Sequence, residues 1–499
     1  MKVIQRSTSI IITSIILLLF TFSGCNTSND MTEDAIIAGE SGISIDAVLT
    51  PLLENIVATH NLPGLAIALV KEDEIVYAKA FGYENIEDSI PTSIHSIFHM
   101  ASISKPFVAT AIMQLVEKGK INLDEKLITY LPYFKVDGEK YKEITIKQML
   151  NHISGMPDVN DYEWYKPQYD EGAIERYVKS ISEEKMIGQP GEKFAYSNMA
   201  FECLGDVISK VSGKSFADYV KQEILDPIRM KESNFLKPEY LPENWASPYV
   251  RVAGLEEADD YPYNRRHGPS STLHSNVVEM SYWAIANMNL GEYKNKRILE
   301  AASYNDLWMP WHQIGDTRYV GLSWFLDTFR EYKIVGHGGG DVGFNTYFMM
   351  LPEQKMAVVV LCNLNPAPVS DIAYAAMDVM LGNKPAKIKA PASITVFKEM
   401  DQNGVESAIL LWKSLQADHP DEYDFGPQHF FALLVAMQSD KVELAENITR
   451  LCLGIFPQEI TQAINEEAEN HIANNPENKA APAVLKIIEE ANAEAKTTE

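Results

Sequence analysis

The stretch Phe98–Gly119, FHMASISKPFVATAIMQLVEKG, decides how the rest of the chain is read. In it Ser102 is followed three residues later by Lys105, at the head of an apolar-periodic run that extends to about Lys118. That spacing puts both side chains on one face of a helix. A serine hydroxyl is a weak nucleophile until a neighbour takes its proton. A lysine amine one turn away can take it, once burial brings its pKa towards neutrality. Ser-x-x-Lys by itself says little, because it recurs at Ser182-Glu183-Glu184-Lys185. The second copy lies in polar sequence ahead of Pro190-Gly191 and reads as an exposed surface pair.

Two more motifs supply context. Tyr196-Ser197-Asn198 stands between the turn at Pro190-Gly191 and an apolar helix pattern, Met199–Val211. Tyr83 and Tyr293 carry the same Tyr-x-Asn spacing without those neighbours. His337-Gly338-Gly339-Gly340 follows the strand pattern Ile334–Val335 and is the only His-x-Gly in the chain. Glycines there let a substrate approach the strand backbone closely.

Around these motifs the pattern alternates between sheet and helix. Leu65–Val70 and Ile75–Ala80 read as two strands joined by the polar turn Lys71–Glu74. A long loop-and-helix region, Ile121–Trp324, carries most of the aromatics and prolines. Strand patterns return at Tyr332–Val335, Phe344–Leu351 and Met356–Cys362, and an apolar helix at Val369–Leu381 closes the section. Early strands, a helical middle and late strands predict an α+β fold: one antiparallel sheet assembled from both ends of a domain over 45–383, flanked by helices.

Residues 384–391 read as a linker to an all-α module over 392–499, where acidic residues far outnumber basic ones. A self-match at a spacing of 37 residues aligns Val405, Glu406 and Ala408 with Val442, Glu443 and Ala445. It also aligns Met400 with Met437 and Pro420 with Pro457. Paired helices ending in proline resemble tetratricopeptide units. Such a module packs on the preceding domain or binds a protein partner.

A net charge of −26 over 499 residues argues against nucleic-acid binding and matches anionic lipid surfaces poorly. The N-terminus reads as an address. Lys2 and Arg6 precede an apolar stretch, Ile10–Phe22, too short to span a bilayer comfortably. Phe22-Ser23-Gly24-Cys25 resembles the bacterial lipoprotein cleavage box, although Phe22 replaces the usual Leu. Residues 1–25 are therefore expected to be a lipoprotein signal with Cys25 as the lipidated residue, and 26–44 a polar tether. That places the protein in the bacterial cell envelope, on the membrane through a lipid anchor only; an ordinary secretory signal is the alternative. Cys203, Cys362 and Cys452 lie in apolar stretches and read as buried thiols. No Cys/His cluster has metal-ligand spacing.

Ser-x-x-Lys, Tyr-x-Asn and His-Gly-Gly in this order resemble the serine β-lactamase/penicillin-binding-protein superfamily, closest to its class C β-lactamase, D-Ala-D-Ala carboxypeptidase and esterase branch. Leu150–Pro157, Pro190–Asn198 and Tyr319–Trp324 are also similar to segments of that branch, and the resemblance covers about Ile45–Leu381. It implies that Ser102 attacks a carbonyl to give an acyl-enzyme and that Lys105 and Tyr196 share the acid–base work. Asn198 would orient Lys105 and bind substrate amide. His337 and Gly339 would line the substrate strand, and the amides of Ser102 and Gly340 would form an oxyanion hole. Neither metal nor organic cofactor is implied.

One departure bears on substrate. Lys-Thr-Gly and Lys-Ser-Gly, which help many β-lactamases bind a carboxylate, do not occur in this chain. His337 would supply positive charge only when protonated, so carboxylate recognition is expected to be weaker and to improve as pH falls. The expected function is a serine hydrolase acting on a small-molecule or peptide substrate, an amide, peptide or ester of the cell envelope. Two alternatives stay open. One is a class C-type β-lactamase. The other is a weakly active or inactive binding protein that recruits a partner through its helical module.

Overall fold

The structure, a computed structural model, describes residues 36–37 and 44–498, except 252–253, 427–429, 431 and 457. The signal segment and Cys25 lie outside the described residues.

Ten strands form one antiparallel sheet: β1 Ile36–Ile37, β2 Gly64–Lys71, β3 Glu74–Asn85, β4 Ile90–Pro91, β5 His312–Gln313, β6 Tyr319–Val320, β7 Phe325–Phe329, β8 Tyr332–Asp341, β9 Phe344–Leu351 and β10 Met356–Cys362. Their spatial order is β1-β3-β2-β10-β9-β8-β7-β6-β5, with β4 also on β3. The N-terminal hairpin thus joins the C-terminal meander through β2 and β10, where Leu65 faces Cys362 and Lys71 faces Met356. The fold is α+β, as the pattern of strands and helices implies.

Central strands bury both faces, so they read as continuous apolar runs rather than alternating ones. On one face Leu65, Ile67, Leu69, Val358 and Val360 pack with α1 (Ile45–Thr59) and α5 (Val369–Met380), through Leu49, Leu53, Ile56, Ile372 and Ala376. The other face carries Ala66, Ala68, Val70, Phe348, Val359 and Leu361. It packs on α2 (Ser104–Glu117), α4 (Val277–Met288) and the helical region around α3 (Asn198–Ser212). Small residues on β2 let α4 approach the sheet, and Phe107 stacks on Trp283 with ring centroids 3.9 Å apart.

Three details depart from the sequence reading. Ser102 does not open an α-helix: it lies in a 3-10 turn, Ala101–Ile103, and α2 begins at Ser104. The glycine run does not follow a strand. β8 continues through His337–Asp341, because unbranched extended backbone there pairs with Phe344–Phe348. Within the expected tether, Ile36 and Ile37 pair with Ala78 and Tyr77 as an edge strand, which suits β-branched residues.

Residues beyond 391 build an apolar core of their own. It is formed by α6 (Ala392–Asn403), α7 (Val405–Asp418), α8 (Ala432–Gln438), α9 (Val442–Ile455), α10 (Gln458–Asn474) and α11 (Ala480–Thr498). Gly404, at φ +88°, turns α6 into α7 in a conformation that favours glycine. The 37-residue self-match has a structural counterpart. Val405 and Val442 each open a helix, and Ala408 and Ala445 are each fully buried. The expected linker is not wholly free either, since Ala390 and Pro391 pair in parallel with Tyr423 and Asp424. Cys203, Cys362 and Cys452 are free and buried, as expected.

The register of β8 on the Ser102 turn yields a test. A Cβ on Gly339 would stand 2.3 Å from both the Met100 carbonyl oxygen and Thr346 Oγ1, whereas one on Gly338 would meet nothing closer than 3.4 Å. Gly339→Ala should therefore cost about 1–3 kcal/mol in denaturant unfolding and shift the turn that carries Ser102, while Gly338→Ala should stay within about 0.5 kcal/mol. Equal stability of the two variants would contradict this packing.

Candidate active site

Ser102 owes its position to local geometry. Ala101, just before it, has φ +48°, a left-handed conformation costing an alanine roughly 1 kcal/mol or more. The turn is clamped between strands: Thr346 Oγ1 donates to the Met100 carbonyl at 2.9 Å, and Gly339 leaves room for that carbonyl.

Lys105, in the first turn of α2, is fully buried. Its Nζ donates to Ser102 Oγ at 3.0 Å and to the Ser270 carbonyl at 2.8 Å. The ammonium also lies 4.9 Å from the Tyr196 ring centroid and 5.6 Å from that of Phe201. Burial pulls its pKa down to about 7, opposed by Glu202, Asp158 and Asp341. The free amine is thus accessible near neutrality.

Tyr196 comes from the extended segment that ends at Ser197, whose hydroxyl caps α3 by accepting from the Ala200 amide at 3.1 Å. Its ring stacks on His152, centroids 4.2 Å apart and planes 19° off parallel. Burial raises the phenol's pKa, against a hydrogen bond with Ser102. The phenol therefore stays protonated across the physiological range. His152 serves as a platform: its Nδ1 accepts from the Ser197 amide at 3.2 Å, and burial holds the ring neutral.

Asn198, His337 and Gly340 line the same cleft as Ser102 and Tyr196, together with Tyr162, Ser271, Arg318, Phe325, Gly338 and Asp341. The cleft is open and has a volume of about 410 Å³. Gly339 does not line it, and backs onto the Ser102 turn instead.

The expected partner of Asn198 differs. Its side-chain amide donates to Asp158 at 2.9 and 3.2 Å, and its backbone amide donates to the same carboxylate at 2.7 Å. Lys105 is held by the Ser270 carbonyl instead. His337 departs from expectation too. Its Nδ1 lies 2.6 Å from the Gly338 carbonyl, and burial with the Lys105 charge pushes its pKa down to about 3. It is neutral throughout the physiological range, so the expected gain in anion binding on mild acidification does not arise from this residue.

Sequence reasoning missed Arg318, Asp158, Glu202 and Ser270. Arg318 is the cation of the cleft wall, its guanidinium 4.7 Å from the Phe325 ring centroid. Glu202 left a trace in sequence: it is the one acid within the apolar run Met199–Leu204 of α3. Asp158 directly follows the quoted stretch Leu150–Pro157. Among the described residues, no group of three or more His, Cys, Asp or Glu is placed to hold a metal ion.

Comparison with known proteins agrees with this geometry. The chain is 26% identical over 316 residues to Protein flp of Staphylococcus aureus strain MW2, covering 63% of this chain and 62% of that protein. It is 28% identical over 333 residues to Penicillin-binding protein 4* of Bacillus subtilis strain 168, covering 63% of this chain and 71% of that one. The chain thus spans a little under two thirds of the flp protein's length. Among solved structures, the octameric penicillin-binding protein homologue from Pyrococcus abyssi superposes with a TM-score of 0.60 at 27% identity, covering 71% of this chain and 81% of that one. A penicillin-binding protein from Bacillus halodurans gives 0.58 at 25% identity, covering 66% and 99%. The family model described as Beta-lactamase matches residues 49–380. With two thirds of its length in that match and its motifs gathered in one cleft, the chain belongs to the beta-lactamase family, within the serine β-lactamase and penicillin-binding-protein superfamily.

Proposed function

We propose that the protein is an exported serine hydrolase that works through an acyl-enzyme on an amide, peptide or ester of the cell envelope. One observation carries the reading: Lys105, fully buried, reaches the Ser102 hydroxyl at 3.0 Å, and that burial draws its pKa down towards neutrality. As a free amine Lys105 takes the Ser102 proton while the oxygen bonds to the substrate carbonyl carbon. The amides of Ser102 and Gly340 receive the developing oxyanion. The carbonyl then re-forms, the bond to the leaving group breaks, and Tyr196, kept protonated by burial, supplies the leaving group's proton. Lys105 restores the phenol. Water hydrolyses the ester on Ser102 with the same groups in reverse.

Export rests on Phe22-Ser23-Gly24-Cys25, with Cys25 as the lipid anchor. No helix among the described residues is long and apolar enough to cross a membrane. Residues 392–499, with their own core and the exposed Leu410, are assigned to recruiting a protein partner. A second reading, β-lactam hydrolysis, is favoured by Arg318, which offers an anionic substrate the permanent charge that His337 lacks.

A fluorophosphonate or a fluorescent penicillin should label the wild type covalently, and Ser102→Ala should abolish the label. Lys105→Ala and Tyr196→Phe should each lower turnover by on the order of 10³ or more, since they act as one unit. Label mapped to another serine, or near-normal rates in both variants, would defeat the mechanism.

The pH profile has a definite sign. Lys105 must be a free amine to accept a proton, so labelling should be lost as pH falls through about 7 and reach its plateau above. A profile flat from pH 5 to 9 would remove Lys105 as the base.

Arg318→Ala should raise KM about tenfold for substrates bearing a carboxylate and leave a neutral aryl ester within about twofold. Equal effects on both would show that Arg318 is only a wall of the cleft.

A further inference from the structure

Beyond Ser270, whose carbonyl holds Lys105, lies a fully buried carboxyl group. Glu202 lies on α3, one turn beyond Asn198, and is 0% exposed. Its Oε1 accepts from Ser270 Oγ at 2.5 Å and faces His267 Nδ1 at 3.1 Å, while its Oε2 is buried with no hydrogen-bond partner. The tautomer of His267 follows from its other side. Arg266 Nε donates to His267 Nε2 at 2.9 Å, so Nε2 accepts and Nδ1 carries the proton directed at Glu202. Ser270 connects the two sites, because its hydroxyl is tied to Glu202 and its carbonyl holds Lys105 Nζ at 2.8 Å.

We propose that Glu202 is a positioning residue for Lys105: through Ser270 it fixes the carbonyl from which the ammonium hangs, and its own proton is coupled to that of the lysine. The proposal rests on Lys105 as the base that activates Ser102.

With its hydrogen bonds gathered on Oε1, Oε2 is the oxygen left to carry a proton. Desolvation raises its pKa to about 8, opposed by Ser270 and Lys105, so both groups change charge in one pH interval. The other groups acting on the pair are few. Asp158 bears on both, and Asp341 on Lys105. The Tyr162 and Tyr177 phenols and the Cys203 thiol feel Glu202, and burial raises the pKa of each. Asp206 lies further along the same helix. His152 and His337 face Lys105 and are held neutral, as is His267, while Arg266 stands beyond His267. The sign is fixed by charge: an anion at Glu202 favours the ammonium and delays release of the Lys105 proton as pH rises.

The test is the pH dependence of fluorophosphonate labelling at Ser102, measured on the full chain for wild type, Glu202→Gln and Lys105→Ala. Gln keeps an acceptor oxygen for Ser270 and His267 and removes the titration, with its amide nitrogen at the unpartnered Oε2 position. Its acid limb should move to lower pH by roughly a few tenths of a unit, because Glu202 is only partly ionised where Lys105 titrates. A lower plateau with an unmoved midpoint, or an unchanged profile, would overturn the proposal and leave Glu202 a packing group. Wild-type labelling in Lys105→Ala would instead defeat the base assignment on which it rests. Should Glu202→Gln fail to fold, carbon NMR of carboxyl-labelled glutamate in the wild type still decides. One resonance should titrate over the interval in which labelling appears, and should move to higher pH in Lys105→Ala, which removes the neighbouring cation. No glutamate resonance that responds to Lys105→Ala would overturn the coupling.

Discussion

Taking the Lys105 ammonium out of water is the constraint around which the site is built. A buried lysine left unpaired would be strongly destabilising, so its donors are met by Ser102 Oγ and the Ser270 carbonyl, with the faces of Tyr196 and Phe201 beside them. Each partner comes from a different part of the chain: the turn before α2, the short helical turn Gly268–Ser271 ahead of α4, and the start of α3. The fold's task is to bring these three pieces to one point beside β8. The same burial that makes the lysine a usable base also keeps the Tyr196 phenol protonated, so a single dry environment sets opposite proton states on two neighbouring groups.

The cleft wall facing this centre is ordered by a second economy of contacts. Asp341, at the end of β8, accepts from Ser271 Oγ at 2.5 Å, lies 3.1 Å from His99 Nε2, and receives Asn365 Nδ2 on its carbonyl at 2.9 Å. Asn345 Nδ2 donates to the Gly339 carbonyl at 2.9 Å while its Oδ1 accepts from the Ala367 amide. The C-terminal part of the strand that offers substrate its backbone is therefore held by side chains at Gly339 and Asp341, and a rigid strand suits a group that must meet an oxyanion.

Much of this was legible in the sequence, for a physical reason. Ser102, Lys105, Tyr196 and His337 each sit in a short segment whose local geometry imposes its own residues: a helix turn, a capped helix start, a glycine-bearing strand. Arg318, Asp158 and Ser270 carry no such local mark. Arg318 and Asp158 reach the site through irregular loops and Ser270 through the short helical turn Gly268–Ser271, and only the folded chain shows that Ser270, 165 residues from Lys105, presents a carbonyl to it. β7 escaped notice because Phe325–Phe329 is half-exposed and lacks the continuous apolar run of the central strands. The pH range in which His337 gains charge is hidden for a related cause: exposure cannot be read from a tripeptide, and burial moves an imidazole by several pH units.

The two-residue strands at the rim of the sheet carry a consequence for how molecules of this protein meet. β3 is twelve residues long and, left bare, would present a row of unpaired amides and carbonyls to any extended chain. Instead Ile36 and Ile37 occupy Ala78 and Tyr77, β4 occupies Tyr83 and Asn85, and Lys79 stands between them, its ammonium 2.7 Å from Asp46. The far edge ends in β5, only His312–Gln313. Among the described residues neither margin offers a long flat template on which a foreign strand could zip up, which disfavours adding strands from one copy to another along these edges.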